Sequence, residues 1–212
     1  MQFNKEAFNR HLLNMGQNIL WQSSFACSCV NPSSGSADPK CTLCSKKGRI
    51  WEDRLPTVCG ICQQKTQNQW ADLGLWEQGD LVVSIPEDSP MWDSGQFDRV
   101  TMLNATDKFS LPLVRGGNPE RLLFVPERID RVFWKANDQS LVEGGIPTID
   151  DNGVPSWAGG IGEPPSGKTY SITGWKYCEY FVFGDFPSNR NMHQGMRLPK
   201  RVVLRRWDLF GR

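Results

Sequence analysis

Apolar residues follow a helical period near the start of the chain and a strand-like one through most of the rest. From Asn4 to Gln22, Phe8, Leu12, Leu13, Ile19 and Leu20 fall roughly on one side of a helix that Asn4 is placed to cap, which predicts a short amphipathic N-terminal helix. From about residue 70 to 135 the pattern becomes strand, turn, strand: LVVSIP, FDRVTMLNAT, RLLFVP and RIDRVFWKA, each bounded by Gly, Pro, Asp or Asn. Pro86 and Pro126 close two of these runs and suit strand ends or an edge, where a missing N–H does no harm. The aromatic and β-branched runs TYSITGWKYCEYFVFGDFP and MRLPKRVVLRRWDLFGR predict two further strands. The fold class expected is mainly β, an antiparallel barrel or sandwich with a short N-terminal helix.

Two stretches break this pattern. Between residues 23 and 50, SSFACSCVNPSSGSADPKCTLCSKKGR places turn formers between two cysteine pairs and offers almost nothing apolar to bury. It needs an external staple to fold. Residues 136–168, with GGIPTIDDNGVPSWAGGIGEPPSG, have almost no periodicity and read as a long excursion or arm, and such loops tend to be functional or to order against a neighbour. The expected organisation is a helix and cysteine module over residues 1–66, followed by a β-barrel domain over 67–212 with its arm at 136–168.

Composition supports short strands over long helices, because the chain has 20 glycines and 14 prolines in 212 residues. Nine tryptophans are many for this length. Trp is enriched in interface anchors, so a homo-oligomer is expected. The net charge of +1 excludes a whole-protein field strong enough to argue for nucleic acid by itself. No apolar run reaches 18 residues, and the N-terminus lacks the apolar core and cleavage site of a signal peptide. The expectation is a protein made in the cytoplasm and not bound to a membrane. In that setting seven cysteines point to thiolates holding a metal.

Cys27 and Cys29 stand one residue apart, Cys41 and Cys44 two apart, and eleven residues separate the pairs. Four thiolates in one turn-rich segment match a tetrahedral zinc site. The CxxC pair can aim two sulfurs at one point, and CTLCSKKGRIW resembles a zinc-ribbon knuckle, where small or Gly residues let the chain turn back into a strand. The CxC pair needs a turn to converge. A further CxxC, Cys59 to Cys62, leaves open the replacement of one or two ligands. The set Cys27, Cys29, Cys41 and Cys44 is preferred because it closes within one segment that has no other source of stability, where metal binding can serve as folding free energy. Cys178, alone among aromatics, reads as a small core residue.

No catalytic residues are assigned. His11 and His193 neighbour no nucleophile or metal-ligand motif, and Glu87-Asp88 and Asp150-Asp151 sit in turn-like settings that explain acidic residues on structural grounds. Gly162 to Thr169 satisfies the bare phosphate-loop expression, but two prolines and a β-rich continuation deny it the required helix. A metal-dependent hydrolase would need an open coordination position, which four cysteines close. The one pronounced charge bias is Arg197, Lys200, Arg201, Arg205, Arg206 and Arg212 against Asp208, a strand that could pair with a neighbouring subunit or lie near DNA. Lys40, Lys46, Lys47 and Arg49 flank the cysteines beside Asp38, Glu52 and Asp53, so a zinc-ribbon nucleic-acid binder is the alternative reading.

Three segments together carry a resemblance: the Cys-x-Cys, Ser/Gly/Asp/Pro turn and CxxC near the N-terminus, the β-rich middle with GQFDRVTMLN, and the ending LPKRVVLRRWDLFGR. The chain resembles structural proteins encoded among the head and tail genes of tailed bacteriophages. The resemblance implies a virion component of the neck or head-to-tail connector, made in the host cytoplasm. Its implied partners are further copies of itself, portal, neck or tail proteins, and DNA passing through the channel. It brings no catalytic set. The pair Cys59 and Cys62 departs from its four-cysteine pattern, and disulfides formed outside the cell are conceivable for a particle component.

Overall fold

The computed structural model describes residues 4–160, 162–186, 192–193 and 195–210. Lys5–Met15 forms helix α1, and Asn4 caps it as expected, its Oδ1 accepting from the Ala7 N–H at 3.0 Å. The helix does not continue to residue 22. Gly16 ends it in an extended conformation while donating its N–H to Leu12 O at 2.8 Å, and Gln17–Gln22 departs as strand β1. Ile19 and Trp21, two residues apart, are buried there, so the period of two wins over the helical one.

The remaining elements follow in order: β2 Ser24–Ala26, β3 Arg49–Trp51, β4 Leu55–Ile61, α2 Gln64–Asp72, β5 Leu81–Ile85 and β6 Arg99–Val114. Then come β7 Pro126–Lys135, β8 Leu141–Glu143, β9 Thr148–Ile149, β10 Pro155–Ser156, β11 Thr169–Asp185, β12 Met192–His193, β13 Met196–Arg197 and β14 Lys200–Arg206. The chain is mainly β and its strands pair antiparallel. Among the described residues no helix is long and apolar enough to cross a membrane.

The chain forms two compact units, Met1–Asn104 with Glu179–Arg212, and Ala105–Cys178. The expected boundary at residue 66 falls inside the first unit. The reason is strand pairing: β4, before that boundary, pairs with β5 after it, and β1 pairs with β6. In the first unit the order of pairing is β14, β5, β4, β1, β6, β11, and β11 pairs again with β14, so the ladder returns on itself. Ile19 stands opposite Thr57 and Met102, and Val203 opposite Val82.

Val82 with Val83, and Val202 with Val203, are fully buried neighbours on β5 and β14. Adjacent strand residues point to opposite faces, so both faces are covered. Trp70 of α2 and Phe186 pack on Val82 and Val203. On β4, Gly60 admits Leu12 of α1, since a Cβ at Gly60 would come 2.5 Å from Leu12 Cδ2.

The second unit takes its strands in the order β6, β11, β7, β8. Its core holds Leu113, Leu122, Val132, Trp157, Tyr170 and Ile172. Residues 121–125 of RLLFVP are not a strand, and Pro126 begins β7 instead of closing one. Leu122 is buried there through a bend, its N–H donating to Gly153 O at 2.8 Å. Residues 136–160 and 162–168, the stretch expected as an arm, lie within this unit. Trp157 is its anchor: Nε1 donates to Gly145 O at 2.7 Å and the ring packs 5.8 Å from Tyr170. Arg115 bonds both Glu120 and Glu163, and burial together with Glu120 pushes the Tyr170 hydroxyl pKa up.

Candidate metal centre

β2 and β3 pair through Ser24↔Trp51, Phe25↔Ile50 and Ala26↔Arg49, and the loop they carry holds the two cysteine pairs. Nine of the eleven residues between the pairs lie exposed, all but Val30 and Ala37, so the loop is shaped by local hydrogen bonds. Asn31 Oδ1 accepts from the N–H groups of Ser33 and Ser34, and Asp38 Oδ1 from that of Lys40.

Each cysteine pair sits in its own turn. Val30 N–H donates to Cys27 O at 3.0 Å, which supplies the turn that the CxC pair needs in order to converge. At the second pair, Lys46 N–H donates to Cys41 O at 3.2 Å and Lys47 N–H to Cys44 O at 3.0 Å. Ser45 and Lys46 take positive φ, 49° and 69°, and Gly48 takes 71°. Gly48 then returns the chain to β3 while its N–H points at Cys44 Sγ, 3.3 Å away. A side chain at Gly48 would meet Val30 and Ala37 at 3.2 Å, in a backbone conformation that favours glycine.

The four sulfurs of Cys27, Cys29, Cys41 and Cys44 all lie within 4.8 Å of one another. Cys27 and Cys41 are 3.8 Å apart and Cys29 and Cys44 3.5 Å. A tetrahedral metal about 2.3 Å from each thiolate sets its sulfurs about 3.8 Å apart, so the donor set fits a metal site. Cys27 and Cys44 are buried and Cys29 and Cys41 half-buried. The Cys44 and Cys29 thiols are driven in opposite directions. At Cys44, burial raises the pKa, but the Gly48 N–H and the neighbouring thiols outweigh it and bring it down to about 7. At Cys29, the Asp38 backbone hydrogen bond lowers the pKa, while burial and the other three thiols raise it, to about 12.

Among the described residues this group does not include Cys59 and Cys62. Cys59 is buried on β4, where burial and the Cys62 thiol push its pKa up to about 12. Cys62 lies 3.3 Å from Ser84 Oγ, at a cleft of about 410 Å³ that also takes His11 and Arg201. Cys178 is half-buried on β11. His193 lies on β12, its side chain outside the described residues. Asp150 accepts from the N–H groups of Asn152 and Val154 in a turn, and the Gly162–Thr169 loop leads into β11.

Several of the basic residues have partners that the sequence does not reveal. Lys47 Nζ sits 4.5 Å over the Trp207 ring, and burial, then the charge of Arg99, lower its pKa against the opposing pull of Glu179. Arg49 lies 4.6 Å over Phe97. In the C-terminal run Arg197 pairs with Asp93, Lys200 with Asp185, Arg205 with Asp80 and Arg206 with Asp208; Arg212 lies outside the described residues. The charge bias is thereby largely neutralised within the fold.

The chain matches no protein-family model, and no curated protein matches it.

Proposed function

We propose that this chain is a zinc-stapled structural protein of a tailed bacteriophage, one subunit of a homo-oligomeric ring at the head-to-tail connection, performing no chemistry of its own. The four-thiol cluster carries the structural part of this reading. Tetrahedral all-sulfur donor sets select zinc or an iron–sulfur cluster, and a mononuclear zinc on four cysteines has no open position for a substrate. Such a site contributes folding free energy to a loop that has little apolar surface to bury. The placement in the particle is supported by the three resembling segments. Subunit contacts are supported by apolar side chains left in solvent in the first unit, among them Leu13, Met15, Leu75 and Trp76.

Exposed Lys40 and Lys46 beside the knuckle favour a second reading, a zinc-ribbon nucleic-acid binder. It ranks lower because Lys47 and Arg49 stack on rings of the same chain. Its affinity would fall steeply with salt as phosphate contacts release counterions.

Native mass spectrometry of the purified protein tests the first reading, because one spectrum reports subunit count and bound metal together. A zinc-bearing ring, or a zinc-bearing monomer that assembles on particle proteins, is the expected result. A metal-free monomer would overturn it.

A further inference from the structure

The β14 ladder ends with Arg206 opposite Tyr180, and the next segment, Trp207–Phe210, is held by its rings. Trp207 stacks on Phe210 with centroids 5.0 Å apart, and Trp51 of β3 meets both rings edge-on, at 5.1 and 5.7 Å. Phe210 also packs 5.6 Å from Phe97 and 5.3 Å from Phe181. Two cations cover Trp207, Lys47 Nζ and Arg99 Cζ, each 4.5 Å from the ring centroid.

The two sides of this clamp have different supports. Arg99 is fixed by two hydrogen bonds to Glu179, 2.7 and 2.8 Å, independently of the cysteine loop. Lys47 belongs to the knuckle itself. Its N–H bonds Cys44 O, its neighbour Gly48 bonds Cys44 Sγ, and Gly48 O accepts from Cys27 N–H at 2.9 Å. The β2–β3 hairpin that continues from it has three residues in each strand, and so short a hairpin is marginal without an added constraint.

We propose that metal bound by Cys27, Cys29, Cys41 and Cys44 latches Trp207–Phe210 in place, because the metal-shaped knuckle sets Lys47 over Trp207 and holds the hairpin bearing Trp51. The latch rests on the zinc reading above. It makes the seating of a segment distant in sequence depend on metal occupancy, with the closed strand ladder left standing in either state.

Hydrogen–deuterium exchange of the full chain, zinc-loaded and after chelation, tests it. The expected result is exchange roughly tenfold faster over residues 207–210 and over 27–48 after chelation, with the β5 and β14 amides at Val82 and Val203 unchanged. A loop that opens while 207–210 keep their protection would overturn the latch and leave the zinc reading intact. A chain that takes up no zinc, and so does not respond to chelator, would remove both. Lys47→Ala, which keeps all four thiols, isolates the contact: zinc content stays the same and residues 207–210 exchange roughly two- to fivefold faster. Unchanged exchange there in the zinc-loaded variant would also overturn the proposal.

Discussion

Arg205 grips Asp80 from the far end of the chain, its Nε and an Nη donating to the two carboxylate oxygens at 3.0 and 2.9 Å. The Asp80 side chain is fully buried and also accepts from Trp70 Nε1 at 3.0 Å. One carboxylate thus ties β14 to α2 and to the turn before β5. Removing it would leave a largely buried guanidinium and an indole N–H without their partner. Asp80→Ala is expected to cost about 3–5 kcal/mol in urea unfolding, the usual consequence of breaking a buried pair from one side. A loss below about 1 kcal/mol would show that water replaces the carboxylate.

On the proposed zinc reading, Cys41→Ser and Cys44→Ser should each lower bound zinc to near zero in elemental analysis, because each removes one of the four thiolate ligands. Cys59→Ser should leave the zinc content unchanged, since Cys59 lies outside the cluster. The reverse ranking would show that the ligand set has been misassigned.

Cys59 gives the fold an alkaline limit. Its thiol is held up at about 12, so the folded state keeps the proton while an unfolded thiol, with an ordinary value of 9.0, releases it. The stability contribution is therefore full below about pH 9 and is lost as pH rises toward 12, at about 1.4 kcal/mol per pH unit. Unfolding curves at pH 8, 9 and 10 should show this decline, and Cys59→Ala should flatten it. In the folded protein at pH 8, iodoacetamide should spare Cys59 until denaturant is added.

Gly60→Val should push α1 away from β4, because Leu12 occupies the space that a Cβ would need. The expected cost is about 1–3 kcal/mol, with faster exchange confined to residues 5–15. Combining it with Leu12→Ala should recover part of the loss, since the truncated side chain vacates the clash. Additive losses in the double variant would mean that the contact is not the cause.

Much of the local structure was legible along the chain. Asn4 announces a cap, the β-branched and aromatic runs announce β5, β6, β7, β11 and β14, and the cysteine spacing selects the four sulfurs that come together. These signals act over a few residues, where backbone preference and side-chain alternation decide the outcome. Gln17–Gln22 reads as helix because Ile19 and Leu20 keep the helical spacing, which over so short a run suits a strand as well. Pairing of β1 with both β4 and β6 resolved it.

The remaining features depend on residues far apart in sequence. Residues 136–168 have no periodicity, yet Trp157 finds Tyr170 and Gly145, so a stretch that reads as an arm becomes part of a core. The basic ending reads as a charged strand until Asp80, Asp93 and Asp185 are brought to it from other elements. Lys47 looks like one of several solvated cations beside the knuckle until Trp207 arrives beneath it. Short-range patterns choose helix, strand and turn, but burial and charge pairing are settled by whichever distant groups the closed ladder of strands brings within reach.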